Sequence, residues 1–382
     1  KEFMMNYVCK RIILMLATLF GVTLLSFLII NMTPGGPIEQ RWQQFQSGGD
    51  LGARGNLNSG ATGPAILKQE SLEALKKQYG FDKPVSVQYL YYLNDLSPLS
   101  FHLNDPNNLS YLTIDKYYFF KIASFEKFNL VIKTPYLRES YQKNGISVSE
   151  IIKNTLPNTI VLAIASIFIA IVIGILLGIF SAINKNSWID YLIQFLSTLG
   201  MSIPSFFSAI IFAWLFGYVL SDLTGLNMTG SLYELDDYGE NMTLQLKNLI
   251  LPSLVLGIRP IAVISQMMRN SLLKVLSQNY ITTAYSKGLS KFNVIKNHAI
   301  KNSLNPVVTA LSGWFASMLA GSVFVEYIFG WNGLGKEIVD SLNNLDVPVL
   351  IGSVLTIAMI FILINIFVDI IYTWLDPRIK FN

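Results

Sequence analysis

Residues 280–306 read YITTAYSKGLSKFNVIKNHAIKNSLNP. Long apolar runs lie on both sides, 249–273 before and 307–329 after, yet this stretch carries Lys287, Lys291, Lys296, His298 and Lys301. Charge at that density is too costly in hydrocarbon, so the chain must leave the membrane here and re-enter it. Within the loop, Ile281, Ala284 and Tyr285 recur at helical spacing, and Gly288 stands where a helix end favours the left-handed conformation. A second helix is predicted from Ser290, whose hydroxyl can cap it, with Phe292, Ile295 and Ala299 on one stripe before Pro306. Two short amphipathic helices joined by a glycine hinge make an element suited to lie on a surface and dock.

The rest of the chain explains why the loop is confined to a surface. Of 382 residues, 52% are hydrophobic and only 14% charged, with a mean hydropathy of +0.45. That balance belongs to a polytopic membrane protein rather than to a globular one. A bilayer core needs about 20 apolar residues per helix. Six runs meet that length: 12–30, 159–183, 192–220, 249–273, 307–329 and 349–375. The first follows Lys10 and Arg11 and lacks a small-residue cleavage site, so it reads as a span rather than a removable signal. The expected fold is therefore all-α and integral to the lipid bilayer, with six transmembrane helices.

Basic residues set the expected orientation. With the amino terminus inside, the short inner segments hold Lys10, Arg11, Lys185, Arg269, Lys274, the cations of 280–306, Arg378 and Lys380. The short outer loops hold only Lys247 and Lys336. The positive-inside rule then places both termini and the 280–306 loop in the cytoplasm. The net charge of +4 follows from this segregation, so it expresses topology and gives no reason to expect nucleic acid as a partner.

Three regions result: residues 1–30 with the first helix, an extracytoplasmic insertion over 31–158, and a core over 159–382. Too long for a connector, the insertion opens with a glycine-rich stretch, Gly48 to Gly63. A helix is predicted from Ile66 to Tyr79, ended by Gly80. Tyr89, Tyr91 and Tyr92 suit a membrane-interface belt or a partner surface. The aromatic and β-branched run between Tyr111 and Tyr136 predicts short strands or a hairpin, and Ser147 or Ser149 can cap a helix leading into the second span.

Chemistry-bearing patterns are few. One cysteine, Cys9, rules out an internal disulfide, and two distant histidines, His102 and His298, cannot assemble a histidine zinc site. Gly330 to Lys336 imitates a phosphate-binding G-x-x-x-x-G-K loop, but Glu337 stands where a magnesium-binding hydroxyl is needed and no strand precedes it. A tight glycine turn closing the fifth run is the better reading. Intramembrane charge is limited to Arg259, Asp369 and Glu326; each can serve packing or line a substrate path, and Arg259 can pair with Asp369. Pro204, Pro252 and Pro260 can kink helices around a cavity. With no catalytic constellation and no carboxylate relay, any transport by this chain would draw its energy from another subunit.

Two blocks resemble a known family. Thr282, Thr283, Ala284, Gly288 and then Leu304-Asn305-Pro306 resemble the cytoplasmic coupling loop of ABC importer permeases, in the form typical of the oligopeptide/dipeptide subfamily. Thr282 stands where that motif has an acid. Glu326, Phe329, Gly333, Leu334 and Gly335 resemble the subfamily's E-x-x-F-x-x-x-G-L-G signature, and residues 11–37 and 72–93 are similar too, whereas 97–135 matches no part of it. The resemblance implies a type I permease fold and a noncatalytic transport subunit in a bacterial cell membrane, importing oligopeptides. Thr282, Thr283, Ala284, Tyr285, Gly288, Leu304 and Pro306 would then contact a separate ATPase subunit, which holds the ATP and magnesium that this chain does not bind. A sister permease and an extracellular substrate-binding lipoprotein complete the implied assembly. Closely similar permeases import nickel or other metal chelates, which is the alternative substrate class.

Overall fold

Pro252 and Pro260 each remove a backbone donor, yet in the computed structural model of the chain the helix Lys247–Leu276 continues through both. The structure describes residues 15, 17–29, 83–103, 119–143, 145–236 and 239–375. The expected glycine-rich stretch, the 66–80 helix, Cys9 and the side chain of Asp369 lie outside them. The described chain begins with α1 (Ala17–Ile29), α2 (Val85–Leu96), β1 (Leu99–Leu103), β2 (Phe119–Ser124), β3 (Phe128–Lys133), α3 (Val148–Ile183), α4 (Trp188–Ser202) and α5 (Ser205–Trp214). Next come β4 (Tyr233–Leu235), β5 (Met242–Leu244), α6 (Lys247–Leu276), α7 (Asn279–Ser286), α8 (Lys291–Val294) and α9 (Ile300–Ser303). The chain closes with α10 (Asn305–Gly321), α11 (Val323–Phe329), α12 (Leu334–Asn343) and α13 (Val347–Leu375).

Each of the six apolar runs contains helix, but not always one helix. Among the described residues, α3, α6 and residues 347–367 of α13 are long and apolar enough to cross a membrane, and α4 with α5 makes a fourth if taken as one span. The third run is not straight. It bends by 110° between α4 and α5, because Pro204 disfavours the helical region for Ile203, which is extended at φ −77 and ψ 131. The fifth run likewise breaks at Ser322 into α10 and α11.

The chain divides into two compact units, one built on Lys153–Asp340 and one on Ile12–Ile152 with Ser341–Leu355. In the first, α6 is the central element. On α3 the large exposed residues Ile164, Phe168, Val172, Leu176 and Phe180 fall every fourth position, a stripe suited to lipid. Its opposite face meets α6 closely: a Cβ on Gly178 would lie 2.6 Å from both Met268 Cβ and Ser265 O, so only glycine permits this approach. Two apolar clusters result. One joins Leu162, Ala209, Leu251, Val255, Phe329 and Trp331; the other joins Ala170, Ile264, Met268, Leu272, Ile281 and Val294. The acidic loop before α6 folds back as the β4–β5 hairpin.

The second unit adds a sheet to the expected all-α architecture. β1, β3 and β2 pair antiparallel in that order, with Leu99 opposite Ile132 and Phe120 opposite Ile132 on the other side. The hairpin expected between Tyr111 and Tyr136 is β2–β3; β1 was not foreseen. Its faces are inverted, with Ser100 and His102 fully buried and bonded to each other at 2.9 Å, and Phe101, Phe120 and Ile132 exposed. Of the tyrosines expected at a membrane interface or a partner surface, Tyr92 turns inward. Tyr92 is buried against Phe27, Ile351 and Leu355, and Tyr89 bonds Thr23 at 3.1 Å, because α2 needs an apolar face to pack on α1. Burial pushes the Asp95 carboxyl up, an effect opposed by the Arg138 guanidinium 3.8 Å away. Ser147 caps α3 as expected, accepting the Glu150 N–H at 3.2 Å.

Candidate transport and coupling site

The polar loop that interrupts the apolar pattern forms α7, a turn at Gly288, and a second helical stretch of α8, a π-helical segment Ile295–Ala299 and α9. Gly288 adopts φ +81, the left-handed cap its position predicts. The turn is held by the Lys287 N–H donating to Thr283 O at 3.1 Å and the Gly288 N–H donating to Tyr285 O at 2.9 Å. Ser290 accepts the Asn293 N–H at 3.4 Å, as its capping position requires, and Pro306 stands in the first turn of α10, two residues after Leu304. Two expected stripe positions are corrected. Tyr285 points outward because Ile281 and Ala284 already hold the inner face of α7; Phe292 also points outward, and Val294 takes the inner place with Ile295 and Ala299.

This sorts the loop's residues into two faces. Ile281 and Ala284 are buried in the cluster around Met268 and Leu272, so Ala284 packs on the chain itself. Tyr280, Thr282, Thr283, Tyr285, Ser286, Lys287 and Gly288 are exposed. The free face is thus small, hydroxyl-rich and flanked by aromatic rings.

A buried ion pair anchors the base of this element. Asp190, 0% exposed, accepts Arg269 Nε at 2.7 Å and Arg269 Nη2 at 2.8 Å. It also accepts from Ser181 Oγ at 2.5 Å, the Asn186 N–H at 2.9 Å and Gln194 Nε2 at 3.0 Å. The carboxylate therefore clasps the 184–187 turn between α3 and α4 to the end of α6 from which α7 departs. Sequence reading passed over Asp190. Its signal was the capping pattern Ser187-x-x-Asp190, realised as the Asp190 N–H donating to Ser187 Oγ at 3.3 Å.

The second motif block is a knot around Glu326. This carboxylate, 0% exposed, accepts the Gly335 N–H at 2.7 Å and the Lys336 N–H at 3.3 Å, the unsatisfied donors at the start of α12. Both signature glycines are explained by space. A Cβ on Gly333 would collide with Glu326 Oε2 and lie 2.6 Å from Thr159 Oγ1; one on Gly335 would lie 2.6 Å from Val323 Cα. Phe329 and Trp331 are buried beneath the turn, and Trp331 Nε1 donates to Asn158 O at 3.0 Å. Thr159, which accepts the Leu334 N–H at 2.8 Å, and Asn158 gave no sequence signal because their partners lie far along the chain. Glu326 thus ties the start of α12 to α11. Glu326→Ala is expected to orphan two N–H groups at about 1–3 kcal/mol each, read as a lower unfolding midpoint in detergent; an unchanged midpoint would refute the knot.

Arg259 is separate from both. It lines a cavity of about 60 Å³ where the bent third run meets α6 and α10, together with Ile203, Ser205, Ser208, Pro260 and Ser317. Its guanidinium makes no ion pair or hydrogen bond to a described residue, and a pairing with Asp369 falls outside them.

A packed helical core, a projecting loop and a charged intramembrane cavity describe a transport component, and comparison with known proteins agrees. The family of binding-protein-dependent transport system inner membrane components matches residues 174–381, more than half of the chain. The chain belongs to that family. A dipeptide transport system permease protein from Alkalihalophilus pseudofirmus is 32% identical over 99% of this chain and 100% of that one. An oligopeptide transport system permease protein from Bacillus subtilis is 31% identical, again over 99% and 100%. Among solved structures, the MetNI methionine ABC transporter in inward-facing conformations is similar at 14% identity and a TM-score of 0.46, over 58% of this chain and 94% of that chain. For an inner membrane component, the matched region is informative: it includes the Asp190 clasp, Arg259, the 280–306 loop and the Glu326 knot, and leaves out Asn158 and Thr159.

Proposed function

We propose that this chain is the permease subunit of a type I ATP-driven importer of peptides. The observation that carries this reading is the match, over essentially the whole length, to relatives named as dipeptide and oligopeptide permeases. The 280–306 loop lies on the cytoplasmic side, in keeping with its basic residues. There the exposed face of Thr282, Thr283, Tyr285 and Gly288 docks into a groove on a separate ATPase, which supplies ATP and magnesium. Small hydroxyl side chains let the helix approach closely, and the two tyrosines fill the groove's edges. Closure of the ATPase pair pushes on α7, and the Asp190–Arg269 clasp passes that push to α3, α4 and α6, which rock between inward-open and outward-open arrangements.

The path itself is completed by a sister permease. The exposed apolar side chains of α4 and α5, among them Phe195, Phe206 and Trp214, suit lipid and that second subunit. An extracellular binding lipoprotein delivers the peptide, and the cavity at Arg259 lines the route. Vesicles carrying the assembled complex, with ATP on the loop side, are expected to accumulate a labelled dipeptide and not chelated nickel. Uptake of the chelate alone would overturn the substrate assignment, and indifference to the side on which ATP is supplied would overturn the orientation.

A further inference from the structure

We infer that the cavity at the break in the third run is a carboxylate subsite, and that Arg259 with the first turn of α5 holds the C-terminal carboxylate of the passing peptide there. The subsite presupposes that this cavity lies on the substrate pathway. Three features of one place support it.

The first is a cation with no counter-charge among the described residues. Arg259 lies twelve residues into α6, about 18 Å from its start at 1.5 Å per residue, well inside a helix long enough to cross a bilayer. No described carboxylate pairs with it, although such a charge in a membrane normally faces a partner or a water-filled path. The second is the bend. By breaking at Pro204, the third run presents the start of α5 to the same cavity; the Phe207 and Ser208 N–H groups donate to Pro204 O, and those of Ser205 and Phe206 have no side-chain cap. Broken membrane helices whose N-termini face a cavity favour anionic groups through the unpaired N–H donors and the helix dipole. Hydroxyls of Ser205, Ser208 and Ser317 line the same space and can donate as well. Among the described residues that line it, Arg259 is the one charged side chain, and no carboxylate is present.

The third is size. About 60 Å³ takes a small polar group with a few waters, since about 10–15 Å³ on this measure admits one water, and it does not take a whole peptide. The cavity grips an end of the substrate rather than its side chains. Every linear peptide carries one C-terminal carboxylate whatever its sequence, so a subsite for that group gives orientation without restricting the residues transported. The peptide's ammonium is repelled from the same place, which fixes the orientation of the bound peptide.

The test uses the whole complex in proteoliposomes, with the binding protein saturated and its loading verified for each ligand. Uptake of a dipeptide is compared with uptake of the same dipeptide as its C-terminal amide. The intact transporter is expected to move the free acid at least about tenfold faster, the scale of one lost charge-assisted interaction. Arg259→Gln is expected to bring the acid-to-amide ratio near one, and Arg259→Lys to keep most of the preference. Equal rates for acid and amide in the intact transporter, or an unaltered ratio in Arg259→Gln, would overturn the assignment. The intact-transporter comparison holds even if a variant fails to assemble. The underlying pathway reading has its own readout: in a Cys9→Ser background, Ser208→Cys is expected to react with a polar thiol reagent in at least one nucleotide state. Labelling of that cysteine with no acid preference removes the carboxylate subsite alone, whereas no labelling in any state removes the pathway reading with it.

Discussion

Asp190→Ala is expected to destabilise the permease by about 3–5 kcal/mol, the cost of stranding one member of a buried ion pair. The magnitude follows from how completely the carboxylate is enclosed. It is 0% exposed and takes both arms of the Arg269 fork, and Ser181, Asn186 and Gln194 satisfy its remaining lone pairs. Remove it and a guanidinium only 15% exposed is left with no counter-charge. The unfolding midpoint in detergent should fall by on the order of 10 °C. Asp190→Asn keeps the shape and loses the charge, so it should fall between. Arg269→Lys keeps the charge and loses the fork, and should also be intermediate. An exchange of the two residues should not rescue, because the donors on Ser181 and Asn186 would then face a guanidinium.

The clasp also makes a mechanical prediction beyond stability. Arg269 is seven residues before the end of α6, on the last turns leading to α7, so a loosened clasp lets α7 move without carrying α3 and α4. In Arg269→Lys, which should still assemble, ATP hydrolysis per peptide imported is expected to rise. A double-mutant cycle showing strictly additive effects of the Asp190 and Arg269 substitutions would show that no such clasp operates.

Much of this architecture was legible because membranes restrict the options. An apolar run of spanning length has to be helical, so the six runs could be read off directly, and cations between two runs had to form a loop. Local caps were legible for the same reason: Ser147, Ser290 and Gly288 each act within four residues of their position, and each does what its chemistry predicts. What stayed hidden depends on partners distant in sequence. Tyr92 reads as an interface tyrosine until Phe27 and Leu355 are brought against it. Glu326 reads equally well as a pathway charge until the start of α12 folds back onto it, 9 residues away for Gly335, with Thr159 lying beside the turn from the other end of the core. β1 was missed for another reason. Leu99-Ser100-Phe101-His102-Leu103 does alternate, but its polar residues face inward, the reverse of the pattern by which a half-buried strand is recognised.

Gly288→Leu is expected to leave the permease folded and assembled while reducing peptide uptake per ATP hydrolysed by about tenfold. Backbone and contact act separately at this position. A Cβ at Gly288 meets nothing within 4 Å, so a side chain there costs the chain no packing. It does cost conformation, because φ is +81 and an L-residue pays about 1–2 kcal/mol in that region. That strain acts on the turn that sets the angle between α7 and the helical stretch after it, and 1.4 kcal/mol is a tenfold shift between hinge geometries. Asparagine tolerates the left-handed region better than alanine or leucine. Gly288→Asn should therefore retain most of the coupling, Gly288→Ala less and Gly288→Leu least. If the ATPase groove instead requires the absence of any side chain at this position, asparagine and leucine should fail alike and alanine should be best tolerated. The order of the three variants thus decides whether Gly288 serves as a hinge or as a point of close contact.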